Sequence, residues 1–276
     1  MEKKQEPVQI NSYREKDLPL VSIVTVCFNS ANTIEDTIKS IKEQTYPNIE
    51  YIIVDGGSTD NTLDIIKKNE KYVAKWVSES DKGIYDAMNK GIAMCSGEII
   101  GIINSDDWFE YEAVALSVEA IKNQKISFSY GIVNWLDFEN ERVDKFIPED
   151  EDQLLPTAMH KCPIHHPSLF IKKEVYDEIG NYDTKYKIVA DYDLILRMLY
   201  SGYKGVKINK PIANFRLGGE SANKKKLFQE KRDLSIVYGV NKRKANLKYN
   251  VLLFRANLIK LIPKKIQKTL KNVLAR

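Results

Sequence analysis

The sequence predicts an α/β fold with a mostly parallel central sheet flanked by helices, and two observations carry that prediction. Strand-like and helix-like segments alternate four times between residues 20 and 103, the pattern of parallel strands joined by crossover helices. Each strand-like run also ends in polar or charged residues: Asn29, then Asp55, then Asp81 with Lys82, then Asp106 with Asp107. Ligands of such sheets bind beyond the carboxyl ends of the strands, so the same ordering says where to look for function.

Residues 1–19 read as a charged leader without the apolar core of a signal peptide. LVSIVTVCF (20–28) is almost continuously apolar and β-branched, as in a strand buried on both faces. Asn32 or Thr33 can cap the next helix, whose Ile34, Ile38 and Ile41 share a face and which closes before Pro47. YIIVD is the second strand, followed by a Gly-Gly turn and a helix with Leu63 and Ile66 inward. YVAKWVSE is the third strand. GIYDAMNKGIAM is a helix with Tyr85, Met88 and Ile92 spaced three and four apart, and EIIGII is the fourth strand. Beyond Phe109, a helix carries Val114, Leu116, Val118 and Ile121, and ISFSYGIVNWL reads as a strand pair before the acidic loop PEDEDQ. A strand and short helix follow, then a helix with Leu194, Met198 and Leu199 inward that ends at Gly202. From Leu227 onward the chain reads as mostly helical.

With 43% hydrophobic and 29% charged residues, the 276-residue chain has the composition of a globular protein able to bury a core. Three scattered cysteines, Cys27, Cys95 and Cys162, form no CxxC pair, which argues against a disulfide framework or structural zinc and for a reducing compartment. No run approaches the roughly 18 apolar residues of a membrane span.

Two adjacent carboxylates at the tip of an apolar strand repel each other and call for a cation. Asp106 and Asp107 suit a hard divalent ion such as Mg²⁺, which commonly takes one or two carboxylates together with substrate phosphates; a helix N-cap is the plainer alternative. Asp55, before GGSTD, can accept hydrogen bonds from a base or ribose, or simply organise the turn. GGSTD lacks the GxGxxG spacing, and no GxxxxGK[ST] loop occurs, which disfavours a dinucleotide dehydrogenase or a P-loop enzyme. In ADYDLILR, Asp191 and Asp193 cannot share a helical face, so they do different work. Asp191 is placed to act as a general base, with capping as the alternative for either residue. His165 and His166 lack a third ligand at zinc spacing; His166 walls an acceptor pocket or packs in the core. Arg216, before a Gly-Gly pair, either reaches a phosphate or sits in a surface loop.

Taken together, SIVTVCFN, YIIVDGGSTDNT, DKGIYDAMNKGI, NSDDW and ADYDL resemble the family-2 glycosyltransferases of the Rossmann-like GT-A fold, most of all bacterial members that assemble surface polysaccharides. The resemblance runs from residue 20 to about residue 221. It implies inverting transfer of a sugar from a nucleotide-sugar donor, usually UDP-linked, with Mg²⁺ or Mn²⁺, to a saccharide or lipid-linked acceptor. It implies base contacts from Thr25, Cys27 and Asn29, a uracil or ribose contact from Asp55, a ribose and phosphate role for Asp106, the metal on Asp107, and Asp191 as catalytic base. It also divides the chain into a nucleotide-sugar half (20–108), an acceptor half (109–223) and a basic helical extension (224–276). Two positions depart from the family pattern. Met88 stands where many members carry an arginine, leaving Lys82 or Lys90 to supply that charge, and Ala190 replaces the first acid of an ED pair.

From residue 224 to 276 there are 16 Lys or Arg against two acids, so +14 of the net +4 lies there and the rest of the chain carries −10. After Pro263 a basic amphipathic helix is expected, with Ile266, Leu270, Val273 and Leu274 on one face. Such a segment suits an anionic membrane surface at the inner face of a bacterial membrane, or it docks on the catalytic domain. No nucleic-acid-binding module accompanies the charge, so nucleic acid is not an expected partner. A nucleotidyltransferase is disfavoured because CFNSANTIED lacks a Gly-rich basic loop. A non-catalytic binding module is disfavoured because Asp55, Asp107 and Asp191 are all present.

Overall fold

The structure, a computed structural model, describes residues 18–137, 139–218 and 223–261, the last seven by backbone alone. Most of the expected leader and the helix expected after Pro263 lie outside the described residues. The chain divides into two compact units, Met1–Leu217 and Gly218–Arg276.

The first unit is built on a nine-stranded mixed sheet. Its parallel half follows the order β3 (Lys75–Ser78), β2 (Ile49–Asp55), β1 (Val21–Cys27), β4 (Ile99–Asn104). Then come β8 (Phe170–Lys172), antiparallel to its neighbours, β6 (Phe128–Leu136), β9 (Gly205–Arg216) and the short β5 (Trp108–Phe109). β7 (Arg142–Phe146) pairs off β6. The central strands are buried along their length, as their β-branched composition requires. Ile34, Ile38 and Ile41 of α1 (Ile34–Lys42), Ile66 of α2 (Thr62–Lys68), and Val114, Val118 and Ile121 of α4 (Ala113–Ile121) join one apolar core with β1, β2 and β4. α3 (Ile84–Met94) packs on β1 and β2, burying Tyr85, Met88 and Ile92.

ISFSYGIVNWL corrects one expectation. It forms a single strand, β6, because Gly131 sits at a register shift against β9 rather than at a turn. The partner of the expected strand pair is β7, beyond the next loop. The remaining helices of the first unit are α5 (Leu154–Ala158), α6 (Lys173–Ile179) and α7 (Ala190–Tyr200). In α7, Leu194 and Met198 are buried and Leu199 is half-buried, and Gly202 follows with a left-handed φ of 82°. The second unit contains α8 (Lys224–Val237) and α9 (Lys242–Leu261), packed on each other.

Candidate active site

Parallel pairing brings the strand tips into one row. Cys27 is in register with Asp55, Asp55 with Ser78, and Val26 with Asn104. The Asp55 carboxylate is fully buried and saturated: Oδ2 accepts from the Gly57 and Ser58 amides (3.1 and 2.9 Å) and the Ser78 hydroxyl (2.6 Å), while Oδ1 accepts from the Ser58 hydroxyl and the Cys27 thiol. Burial pushes its pKa up, but the Ser58 and Ser78 hydrogen bonds outweigh burial and hold it below the ordinary value. Asp55 is therefore the anchor of the turn after β2. Gly57 has φ +85°, and a side chain at Gly56 would collide with the Asp81 carboxylate. Asn29, exposed at φ 50°, ties the tip of β1 to this turn: its amide donates to Ser58 Oγ (2.7 Å) and its Oδ1 accepts from the Thr59 amide (2.9 Å). A Ser30–Ser105 hydroxyl contact of 2.7 Å carries the connection on to the tip of β4.

At that tip Asp106 is partly exposed and Asp107 fully buried. Burial raises the pKa of both carboxyls; for Asp107 the negative charge of Asp106 adds to it, and Arg216 and the Asn104 side chain offset only part. Asp107 Oδ1 accepts the Arg216 amide at 3.0 Å, whereas Oδ2 is buried with no well-formed hydrogen bond among the described residues. An unspent oxygen on a desolvated carboxylate is costly unless something positive meets it, so this pair fits a divalent cation. Among the described residues no group of three or more His, Cys, Asp or Glu side chains could hold a metal.

Arg216 ends β9 and is buried, rather than lying in a surface loop. Its guanidinium donates to the Asp106 carbonyl (3.0 Å), Asp36 Oδ2 (2.6 Å) and Asn140 Oδ1 (2.8 Å), and stacks over the Trp108 ring at 4.7 Å. With three guanidinium hydrogen bonds made inside the fold, Arg216 holds the two-aspartate tip.

Asp191 lies half-exposed in the first turn of α7, and Asp193 is buried in an ion pair with Arg197 (2.9 Å). The two acids thus make different contacts. Arg197 also donates to the carbonyls of Ile179, Gly180 and Asn181, fixing the loop before α7. Asp191 Oδ1 accepts from the Tyr192 amide (2.9 Å) and from the Tyr85 hydroxyl (3.0 Å), whose one proton is shared with the Ile188 carbonyl (2.8 Å). Asn89, one turn after Tyr85, exchanges two hydrogen bonds with the Tyr182 backbone (2.9 and 3.0 Å). Helix α3 thus holds the segment that carries Asp191.

Two of the expected residues lie buried in the fold. Thr25 is fully buried mid-strand, where its hydroxyl accepts from Tyr51 (3.1 Å), so it belongs to the core rather than to a base pocket. His166 is buried against Tyr182, with its Nε2 2.9 Å from the Tyr182 hydroxyl, and burial lowers its pKa; this is the packing alternative. Cys27 is nearly buried, its thiol turned to Asp55. Lys90 is spent on Glu79 (2.8 Å), Asp86 (3.7 Å) and the Ser80 carbonyl, whereas Lys82 is exposed and its ammonium makes no ion pair among the described residues. Sequence reasoning missed Tyr85, Asn89, Asp36 and Ser105 as site-forming residues. The motif DKGIYDAMNKGI around the first two was the available signal.

Residues 22–180 match the family model described as glycosyl transferase family 2. The chain belongs to this family. The glycosyltransferase is 35% identical over 182 residues to an uncharacterized glycosyltransferase of Mycobacterium tuberculosis, covering 65% of this chain and 68% of the relative. It is 28% identical over 211 residues to the putative teichuronic acid biosynthesis glycosyltransferase TuaG of Bacillus subtilis, covering 75% and 83%. Its fold is similar to that of a mannosyltransferase, PcManGT from Pyrobaculum calidifontis, solved with GDP-Man and Mn²⁺ (TM-score 0.64, 16% identity, covering 96% of this chain and 80% of that one). It is similar also to S. aureus TarS 1–349 in complex with UDP-GlcNAc (TM-score 0.63, 15% identity, 85% and 71%). Of the longer TarS chain this glycosyltransferase spans 41%.

Proposed function

We propose that this glycosyltransferase performs inverting transfer of a sugar from a UDP-linked donor to a hydroxyl of a saccharide or lipid-linked acceptor during cell-surface polysaccharide synthesis. The observation that carries the reading is the unspent Oδ2 of buried Asp107 beside Asp106 at the tip of β4. In this reading Asp107 holds Mg²⁺ or Mn²⁺, Asp106 faces ribose and phosphate, Asn29 and Cys27 border the base above the turn anchored by Asp55, and Lys82 offers its charge to the diphosphate. The bound ion would act as a Lewis acid for the diphosphate leaving group. Asp191 takes the proton of the acceptor hydroxyl through Oδ2, since Oδ1 already accepts two hydrogen bonds. The acceptor oxygen bonds to the anomeric carbon as the bond to the diphosphate oxygen breaks, and attack from the opposite face inverts the configuration. Nucleotide sugars in two structural neighbours, and Mn²⁺ in one, support the donor class. The basic residues 224–276 suit a place at the inner face of a bacterial membrane, where a lipid-linked acceptor lies.

A thermal-shift screen of UDP, GDP and their sugars, with and without Mn²⁺, tests this. We expect a UDP-dependent rise in Tm that requires Mn²⁺ and disappears in Asp107→Ala. Asp191→Ala should keep that rise but lose transfer. A nucleotide shift indifferent to both Mn²⁺ and Asp107 would overturn the reading.

A further inference from the structure

We propose that the outward face of α9 is a bilayer-interface surface for anionic lipid, formed by Leu247, Val251 and Phe254 and flanked by Arg243, Lys244 and Lys248. This inference rests on the membrane reading above and names the surface that would carry it. Leu247, Val251 and Phe254 are 67%, 41% and 66% exposed, and spacings of four and three place them on one helical stripe. The opposite side of α9 is already occupied: Ala245 is buried, Tyr249 is half-buried, and the Arg232 guanidinium of α8 stacks over the Tyr249 ring at 5.0 Å. Within this unit the helix is therefore apolar on two sides, one covered by α8 and one exposed.

Charge selects the occupant. Lys242–Leu261 contains no acid, and Arg243, Lys244 and Lys248 are all exposed beside the stripe. A second copy packed face to face would set these cations against each other. An anionic bilayer meets both the apolar stripe and its basic margins. No described helix is long and apolar enough to cross a membrane, so α9 would lie in the interface plane.

The test is co-sedimentation of the full chain with phosphatidylcholine vesicles, and with vesicles that also contain phosphatidylglycerol. We expect binding to the anionic vesicles that weakens with salt, and little binding to phosphatidylcholine alone. The combined variant Leu247→Ser, Val251→Ser, Phe254→Ser should abolish binding. Arg243→Gln, Lys244→Gln, Lys248→Gln should weaken it roughly a hundredfold, at about fivefold per cation. The second variant changes only exposed polar side chains, so it keeps the test valid if the first fails to fold. Wild-type binding that survives both sets of substitutions overturns the surface and leaves the membrane reading standing. Failure of the wild type to bind either vesicle overturns both. A dimer in solution that dissociates in the apolar variant also overturns the proposal, in favour of a second copy.

Discussion

Asp191 is oriented by a residue more than a hundred positions away. The Tyr85 hydroxyl and the Tyr192 amide both donate to Oδ1, which leaves Oδ2 for any proton the carboxylate takes up. Tyr85→Phe keeps the ring contact with Tyr182, whose centroid lies 5.4 Å away, and removes only the hydroxyl. We expect it to lower kcat roughly tenfold, about 1.4 kcal/mol of barrier, with the KM for the donor unchanged. Steady-state kinetics decide the point, and an equal change in KM would make Tyr85 a binding residue. Arg216 acts at the other carboxylate centre in a similar way. Its amide holds Asp107 Oδ1 while its guanidinium bonds the Asp106 carbonyl and Asp36, so a residue from the far end of the domain shapes the tip of β4.

At the scale of elements, α3 links the sheet to the segment that carries Asp191, and Gly91 permits its close approach. A Cβ at Gly91 would stand 2.3 Å from Val24 Cγ1, on a fully buried β-branched residue of β1 that cannot swing away. Gly91→Val should therefore destabilise by about 2 kcal/mol, overpacking outweighing the small gain in helix propensity. Urea unfolding with an unchanged m-value checks this. The opposite end of the sheet is closed by Glu50 of β2. It accepts from Ser22 of β1, from the amide and hydroxyl of Ser96 (2.8 and 2.6 Å), and from Lys75 of β3 (2.7 Å). One buried carboxylate thus joins three strands to the loop before β4.

The whole molecule should respond to acid in two stages. Burial, with His166 beside it, pushes His165 down from 6.5 to about 4. The stability of keeping it neutral is complete above about pH 6.5 and is lost as pH falls through 4. For Glu50, hydrogen bonds from Lys75, Ser22 and Ser96 overcome burial and lower its pKa from 4.5 to about 2, so its contribution is complete above about pH 4.5 and is lost as pH falls through 2. Calorimetry across this range should show Tm declining first below about pH 6.5. Glu50→Gln should lessen the loss at the lower end, and His165→Phe, with His166 still buried beside it, should lessen the loss at the upper end. The sequence alone determined the parallel half of the sheet, its helices and the acids at the strand tips, because apolar period and turn chemistry act over a few residues. It was less informative about the part beyond Phe109, where Gly131 serves a register shift and β9 returns to pair with β6 from about eighty residues away. Only the tertiary structure decided that Thr25 and His166 are core, that Asp55 is saturated, that Arg216 is turned inward, and that Tyr85 meets Asp191. Which donor meets which acceptor across the chain depends on packing between distant segments, and no local pattern records it.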